Sequence, residues 1–252
     1  MLNTYGSLCD DFYLDMYVNT ELDLPTQRDT VLAFFERIQK QFPSMGCFWR
    51  RENNEYCLEE DRGAGRYRWV GLEKYRIGSG VVNPSAFEDA YSQDRLVLEL
   101  IPYMLSVNHL DIDSLDVTFA MDFDCTGSHD EVIAEALFAS TAFSCLLDLP
   151  SARAIGLSPV VVVGLSEDCR TQARISIESK TSLCESGRKE QVEGEAISLS
   201  FTIRQYPSST GKFDSVQSFE SQCSLAEELM AAKIVPNFVQ PLINVIAQKR
   251  LT

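Results

Sequence analysis

Asp122-Phe123-Asp124 is the sharpest chemical pattern in the chain. On an extended strand, residues two apart share a face, so both carboxylates project together while Phe123 turns to the core. Asp15 sits on a strand of the same kind earlier in the chain and faces outward with them. Grouped carboxylates suit hard cations such as Mg²⁺, which take oxygen ligands. Asp15, Asp122 and Asp124 therefore define one reading, a metal-dependent phosphoryl- or nucleotidyl-transfer enzyme. The plainer reading is the solvated polar face of an ordinary strand. It is preferred, because no phosphate-binding loop and no neighbouring base accompanies the carboxylates.

Other chemical signals are weaker. His129 follows the helix-capping Ser128, and His109 falls in a turn, so neither is set beside a nucleophile. Gly164-Leu165-Ser166 lacks the second glycine of a nucleophile elbow. Gly78-Ser79-Gly80 lacks the third glycine of a dinucleotide fingerprint and reads as a bulge or close backbone approach within a strand. Arginines and aromatics interleave from Trp49 to Arg76, through Arg50, Arg51, Arg66, Tyr67, Arg68 and Trp69. Such interleaving could stack bases, but Glu52, Glu55, Glu59, Glu60, Asp61 and Glu73 lie among them. Cross-strand ion pairs or a protein interface explain the cluster better. Trp49, Arg66, Arg68, Trp69 and Arg76 are the expected partner-binding residues.

Charge narrows the partners. With 22 bases and 37 acids the formal charge is 22 − 37 = −15. That excess opposes the counterion-release mode of duplex nucleic acid binding and attraction to anionic lipid. No base occurs between Arg95 and Arg153, where Asp111, Asp113, Asp116, Asp122, Asp124 and Asp130 all fall. The Asp-rich N-terminus has no basic segment followed by an apolar run, so a signal peptide is not expected. Residues 234–247 read as too short and too polar for a membrane span. Eight cysteines without C-x-x-C or zinc-ligand spacing read as reduced thiols of a cytoplasmic protein. No cofactor is expected.

The elements that must position these residues recur in the same order twice. Phe12, Leu14, Met16 and Val18 alternate with polar residues as a half-buried strand. A helix through Val31, Phe34, Phe35 and Ile38 follows, then three strand-like segments near 46–59, 66–72 and 74–82. Ser85 and Glu88 form a capping box for the next helix, which is kinked or restarted at Pro102. From residue 108 the order repeats. Leu115, Val117, Phe119, Met121 and Phe123 alternate with polar residues, and Ser128 opens a helix. Strands follow near 154–164, 171–180 and 196–206, with an exposed hairpin loop at 185–195, and a last helical region over 224–249 breaks at Pro236. Asp116, Asp122, Asp124, Asp11 and Asp15 are expected to be exposed, so that Asp116→Asn costs little.

The expected fold class is α+β, with residues 1–107 and 108–252 as duplicated β-α-β-β-β-α halves of one domain. They share one curved antiparallel sheet of about eight strands with helices on one face. Two separate ferredoxin-like domains divided near 108–113 are the alternative. The element order resembles TATA-binding-protein-like and helix-grip folds, a likeness of topology that carries no function. Residues Ile77-Gly78-Ser79-Gly80-Val81-Val82-Asn83-Pro84, Phe123-Asp124 and Gly127-Ser128-His129-Asp130-Glu131 resemble bacterial proteins of planctomycete type, and the resemblance implies no activity. A protein partner or a second copy, bound through an open sheet face or sheet edge, is the functional expectation.

Overall fold

The first strands of the two halves, β1 (Asp11–Thr20) and β6 (Ile112–Asp124), run antiparallel side by side at the middle of one sheet. This comes from a computed structural model that describes residues 4–50, 55–179, 196–208 and 211–250. On one flank of this pair lie β5 (Arg76–Val82), β4 (Tyr67–Leu72), β3 (Tyr56–Glu59) and β2 (Cys47–Arg50). On the other lie β9 (Ala196–Gln205), β8 (Thr171–Ser179) and β7 (Val160–Gly164). The order β2-β3-β4-β5-β1-β6-β9-β8-β7 is antiparallel throughout and mirrors itself about the central pair, apart from β2. The ninth strand arises because residues 46–59 form two strands rather than one. Two separate domains are thereby excluded, since the ladder runs unbroken across β1 and β6.

Alternation decides which side the helices cover. Phe12, Leu14, Met16 and Val18 of β1 and Leu115, Val117, Phe119, Met121 and Phe123 of β6 are all buried. They lie beneath α2 (Phe87–Met104) and α5 (Ser215–Leu229), while α1 (Arg28–Gln41) packs on α2. A buried glutamine on each covering helix ties it to sheet carbonyls. Gln93 donates to the Trp69 and Gly80 carbonyls at 3.0 and 3.2 Å, and Gln222 to those of Leu115 and Ile203 at 2.7 and 2.9 Å. Buried amides left unpaired would be costly, so these bonds fix the helices' register on the sheet.

Several local expectations shift. Ala86, not Ser85, caps α2, and the Ser85 hydroxyl turns to Asp89 instead. Pro102 lies inside α2 without ending it. Ser128 does cap α3 (His129–Ile133), which widens into a π turn before the short α4 (Ser144–Leu147). The last helix begins at Ser215 rather than 224, with the Asp214 carboxylate accepting the Gln217 N–H at 3.0 Å. Pro236 does not break it. A π-helical stretch, Met230–Val239, absorbs the proline, and the Asn237 amide takes the Lys233 carbonyl at 2.7 Å before α6 (Gln240–Lys249). The resulting run, Ser215–Lys249, is long and apolar enough by length and composition to cross a membrane, contrary to the shorter segment expected. Here its residues Phe219, Ala226, Met230, Val239 and Leu242 are buried in the core beneath the sheet. Arg51, Glu52, Cys184 and the tract 185–195 lie outside the described residues.

Candidate functional site

The open face of the sheet is built around Asp15. Gly80 lies directly opposite it on β5, and Gly78 opposite Tyr17. A Cβ at Gly80 would stand 2.1 Å from the Asp15 carboxylate and 2.8 Å from Trp69 Nε1, and one at Gly78 would stand 2.8 Å from the Trp69 ring. The two glycines are therefore the close approach read from Gly78-Ser79-Gly80: the indole of β4 lies flat across β5 and reaches Asp15. Its Nε1–H donates to Asp15 Oδ1 at 3.3 Å, and its ring tilts against Tyr17 at 5.9 Å. Covered in this way, Asp15 is buried, which corrects its expected exposure. Burial pushes its pKa up to about 7, with the Trp69 hydrogen bond opposing only part of the shift. On the helix side of the same strands Asp94 is fully buried. Desolvation lifts its carboxyl well above the ordinary range, and the Ser79 hydroxyl offsets this only in part.

Asp11, Asp116 and Asp122 on this face are each satisfied locally. Asp116 is buried rather than exposed, and the Arg204 guanidinium of β9 grips it at 2.7 and 2.6 Å while Asn19 donates to it at 3.2 Å. Asp11 and Asp122 stand directly opposite one another, a pairing that would repel if both were bare. Tyr13 and Ser198 hydroxyls donate to Asp122, and the Asn83 amide donates to Asp11 at 2.6 Å. Asp124 is exposed as expected. The short Asp side chains are overgrown by longer neighbours, which strand alternation cannot reveal. Replacing Asp116 by Asn should consequently destabilise by about 1–2 kcal/mol, since it strips a charge from a bidentate pair whose arginine is partly solvated. Chemical denaturation of the variant measures it, and an unchanged midpoint would restore the exposed-face reading.

The metal reading fails on geometry. Asp15 pairs with Thr118, four residues along β6 from Asp122, a separation of about 13 Å. One ion needs all its oxygen ligands within about 2.6 Å, so Asp15, Asp122 and Asp124 cannot share one. Among the described residues no group of His, Cys, Asp and Glu is arranged to hold a metal.

The five expected partner-binding residues are also dispersed. Trp69 and Arg76 lie on the open face, where Arg76 stacks over the Tyr17 ring at 4.8 Å and pairs with Glu73. Arg66 and Arg68 serve the start of α2. Arg66 donates to Ser85 and Asp89 at 2.6 and 2.8 Å, and Arg68 donates to the Asp89 carbonyl at 2.6 Å while covering Phe42. Trp49 stands exposed on the edge strand β2, two strands away from Trp69. Of these side chains only Arg66 and Arg68 hold the sheet to a helix, so the five residues do not form one surface.

The conspicuous surface lies at the opposite edge. β7 reads Val160-Val161-Val162-Val163-Gly164, a run without polar alternation that suits a strand covered on both faces. It is instead the last strand of the sheet, and its valines are 51, 51, 54 and 47% exposed. Beneath it opens a hollow of 560 Å³ lined by Leu137, Phe138, Leu146, Leu157, Ile175 and Phe238. Phe143 and Leu146 on its lining are exposed, as are Leu149, Ile155 and Leu165 nearby in the sequence. Proteins normally protect a sheet edge with charge, proline or a bulge, and β7 itself has none of these. Between residues 138 and 165 the charged side chains are Asp148 and Arg153 alone. Unbroken apolar character in Val160–Val163 beside a Phe- and Leu-rich stretch was the available sequence signal, but composition does not say whether such a strand is central or at an edge.

Compared with family models and with curated proteins, the sequence matches none. Among solved structures the chain is similar to part of "Crystal structure of A. aeolicus tRNASec in complex with M. kandleri SerRS", at 12% identity and a TM-score of 0.31. The match covers 95% of this chain and 31% of that one, so the chain spans about a third of the length of that protein.

Proposed function

We propose that this protein is a binding protein that recruits a protein chain through the β7 edge and the apolar hollow beneath it. The observation that carries the reading is the exposed, uncharged valine strand at the end of a nine-stranded sheet. A strand added there would satisfy the outward backbone groups of β7, and its side chains would cover the valines and fill the hollow. Exposed apolar areas of this continuity mark interaction sites in folded proteins. The strong overall negative charge keeps the molecule dispersed, while β7 itself carries no charge.

The test compares the wild type with Val162→Lys in affinity capture from extract followed by cross-linking. Val162 is 54% exposed, so its replacement should leave the fold intact, with a stability change within about 0.5 kcal/mol. The variant is expected to lose the partner set held by the wild type. Retention of the same partners would overturn the reading.

A further inference from the structure

Resting on that reading, we propose that the chain seated on β7 is a second copy of this protein, paired antiparallel through β7 about a two-fold axis at Val162. The backbone hydrogen bonds set which groups are available. Leu165 N–H donates to the Thr171 carbonyl and Ile177 N–H to the Pro159 carbonyl, so the odd-numbered residues of β7 turn their backbone groups toward β8. In a strand the intervening residues turn theirs the other way. Val160, Val162 and Gly164 therefore direct N–H and C=O outward from the sheet.

A strand with this disposition can pair with itself. With the axis at Val162, Val162 faces Val162 of the other copy as a hydrogen-bonded pair. Val160 then faces Gly164 in the same manner, and Val161 faces Val163 in the closer non-bonded register. The near-palindromic Val-Val-Val-Val-Gly sequence means that every apolar side chain meets an apolar or absent one. A two-fold contact requires such self-complementarity, because the same patch must serve on both sides.

Area and charge agree with this occupant. Seven exposed apolar side chains belong to the edge strand, its C-terminal neighbour and the hollow's lining: the four valines, Leu165, Phe143 and Leu146. At on the order of 100 Å² each, they supply most of the about 800 Å² per partner that a stable interface buries. Two chains of charge −15 repel at long range, but β7 itself carries no charge, the exposed Arg174 opposite Val162 on β8 adds a base rather than an acid, and the repulsion is screened beyond about 8 Å at physiological ionic strength. Both copies would also present their hollows on the same side of a merged sheet, next to the seam.

Sedimentation equilibrium over a concentration series tests the proposal on the full chain. The wild type should move from one to two chain masses. Val162→Lys sets two ammonium groups directly opposite each other and should weaken dimerisation at least ~100-fold. Val162→Pro should act similarly, since it removes only an outward N–H and spares the ladder to β8. Circular dichroism melts like the wild type's confirm that both variants fold. In a chain carrying Cys145→Ser and Cys169→Ser, Val162→Cys should oxidise to a disulfide-linked dimer, whereas Val161→Cys should not, because Val161 faces Val163. A wild type of single mass at every concentration, or a dimer that survives Val162→Lys, overturns the second-copy proposal. If that monomer still binds another protein in a Val162-dependent way, the edge-binding reading stands without it. If it binds nothing through Val162, both fall.

Discussion

Asp15→Asn should stabilise the protein above pH 7 by as much as about 4 kcal/mol and leave it unchanged below pH 4, from about 1.4 kcal/mol for each unit of pKa displacement. The folded-state pKa of Asp15 is raised from 3.8 to about 7 by burial. Below pH 4 the carboxyl is protonated in both the folded and unfolded chains and costs nothing. Between pH 4 and 7 the unfolded chain ionises while the folded one stays protonated, so stability falls as pH rises. Above pH 7 the full loss is present and constant. Asparagine keeps an oxygen to accept the Trp69 N–H and removes the titration. Tyr17, Tyr67 and Asp94 feel the charge of Asp15, and Asp94 adds a slope of the same sign. Urea denaturation of the wild type and variant between pH 4 and 8 measures the difference. Parallel profiles would show that Asp15 is ionised at no cost in the folded chain.

A carboxyl of this kind carries a physical lesson about the open face. Alternation along β1 and β6 assigns every side chain to its side, and the apolar set from Phe12 to Phe123 is buried as the pattern demands. Depth is another matter. β1 and β6 are the central strands, so short Asp side chains on them are flanked by residues from several neighbouring strands. Trp69 reaches Asp15 across Gly80, and Arg204 reaches Asp116 from β9. The glycines that permit the first approach were visible in the sequence, while the tryptophan that uses them was not, because it comes from another strand.

The duplicated order of elements was legible for a related reason. Each half alternates strand and helix periods with clear polar breaks, and β1 pairing with β6 joins them into one sheet. What escaped depended on competition between local rules and the surroundings. Pro236 ends helices in isolation, yet here a widened π turn and the Asn237 amide accommodate it. The run of valines in β7 satisfies the local rule for a strand covered on both faces, yet the described chain leaves them about half exposed. That mismatch between local composition and position in the sheet is the physical basis for proposing an interaction surface there. The arginine and tryptophan cluster shows the converse: Arg66 and Arg68 have the composition of an interface but are consumed in holding β4 to α2.

Phe119→Ala should cost roughly 3–5 kcal/mol, the range for emptying an aromatic site in a packed core. Its ring is fully buried at the seam of the two halves, on β6 between Leu14 of β1 and Phe201 of β9. It stands edge-on to Phe87 of α2 at 5.6 Å and to Phe12 of β1 at 5.9 Å, with Tyr5 at 6.5 Å. The substitution therefore removes the dispersion and edge contacts through which β1, β6 and α2 meet, and the close-packed neighbours have little freedom to collapse into the space. Against a total stability of about 5–15 kcal/mol, such a loss is a large fraction of the whole. Phe143 provides the internal comparison, because its ring is 61% exposed beside the β7 hollow and meets only Phe138 among the described rings. Phe143→Ala should alter unfolding of the single chain by no more than about 0.5 kcal/mol. Paired urea titrations of the two variants at low protein concentration test both statements together. Similar losses at the two positions would mean that the surface around β7 is packed against the chain's own core, removing the ground for a partner there.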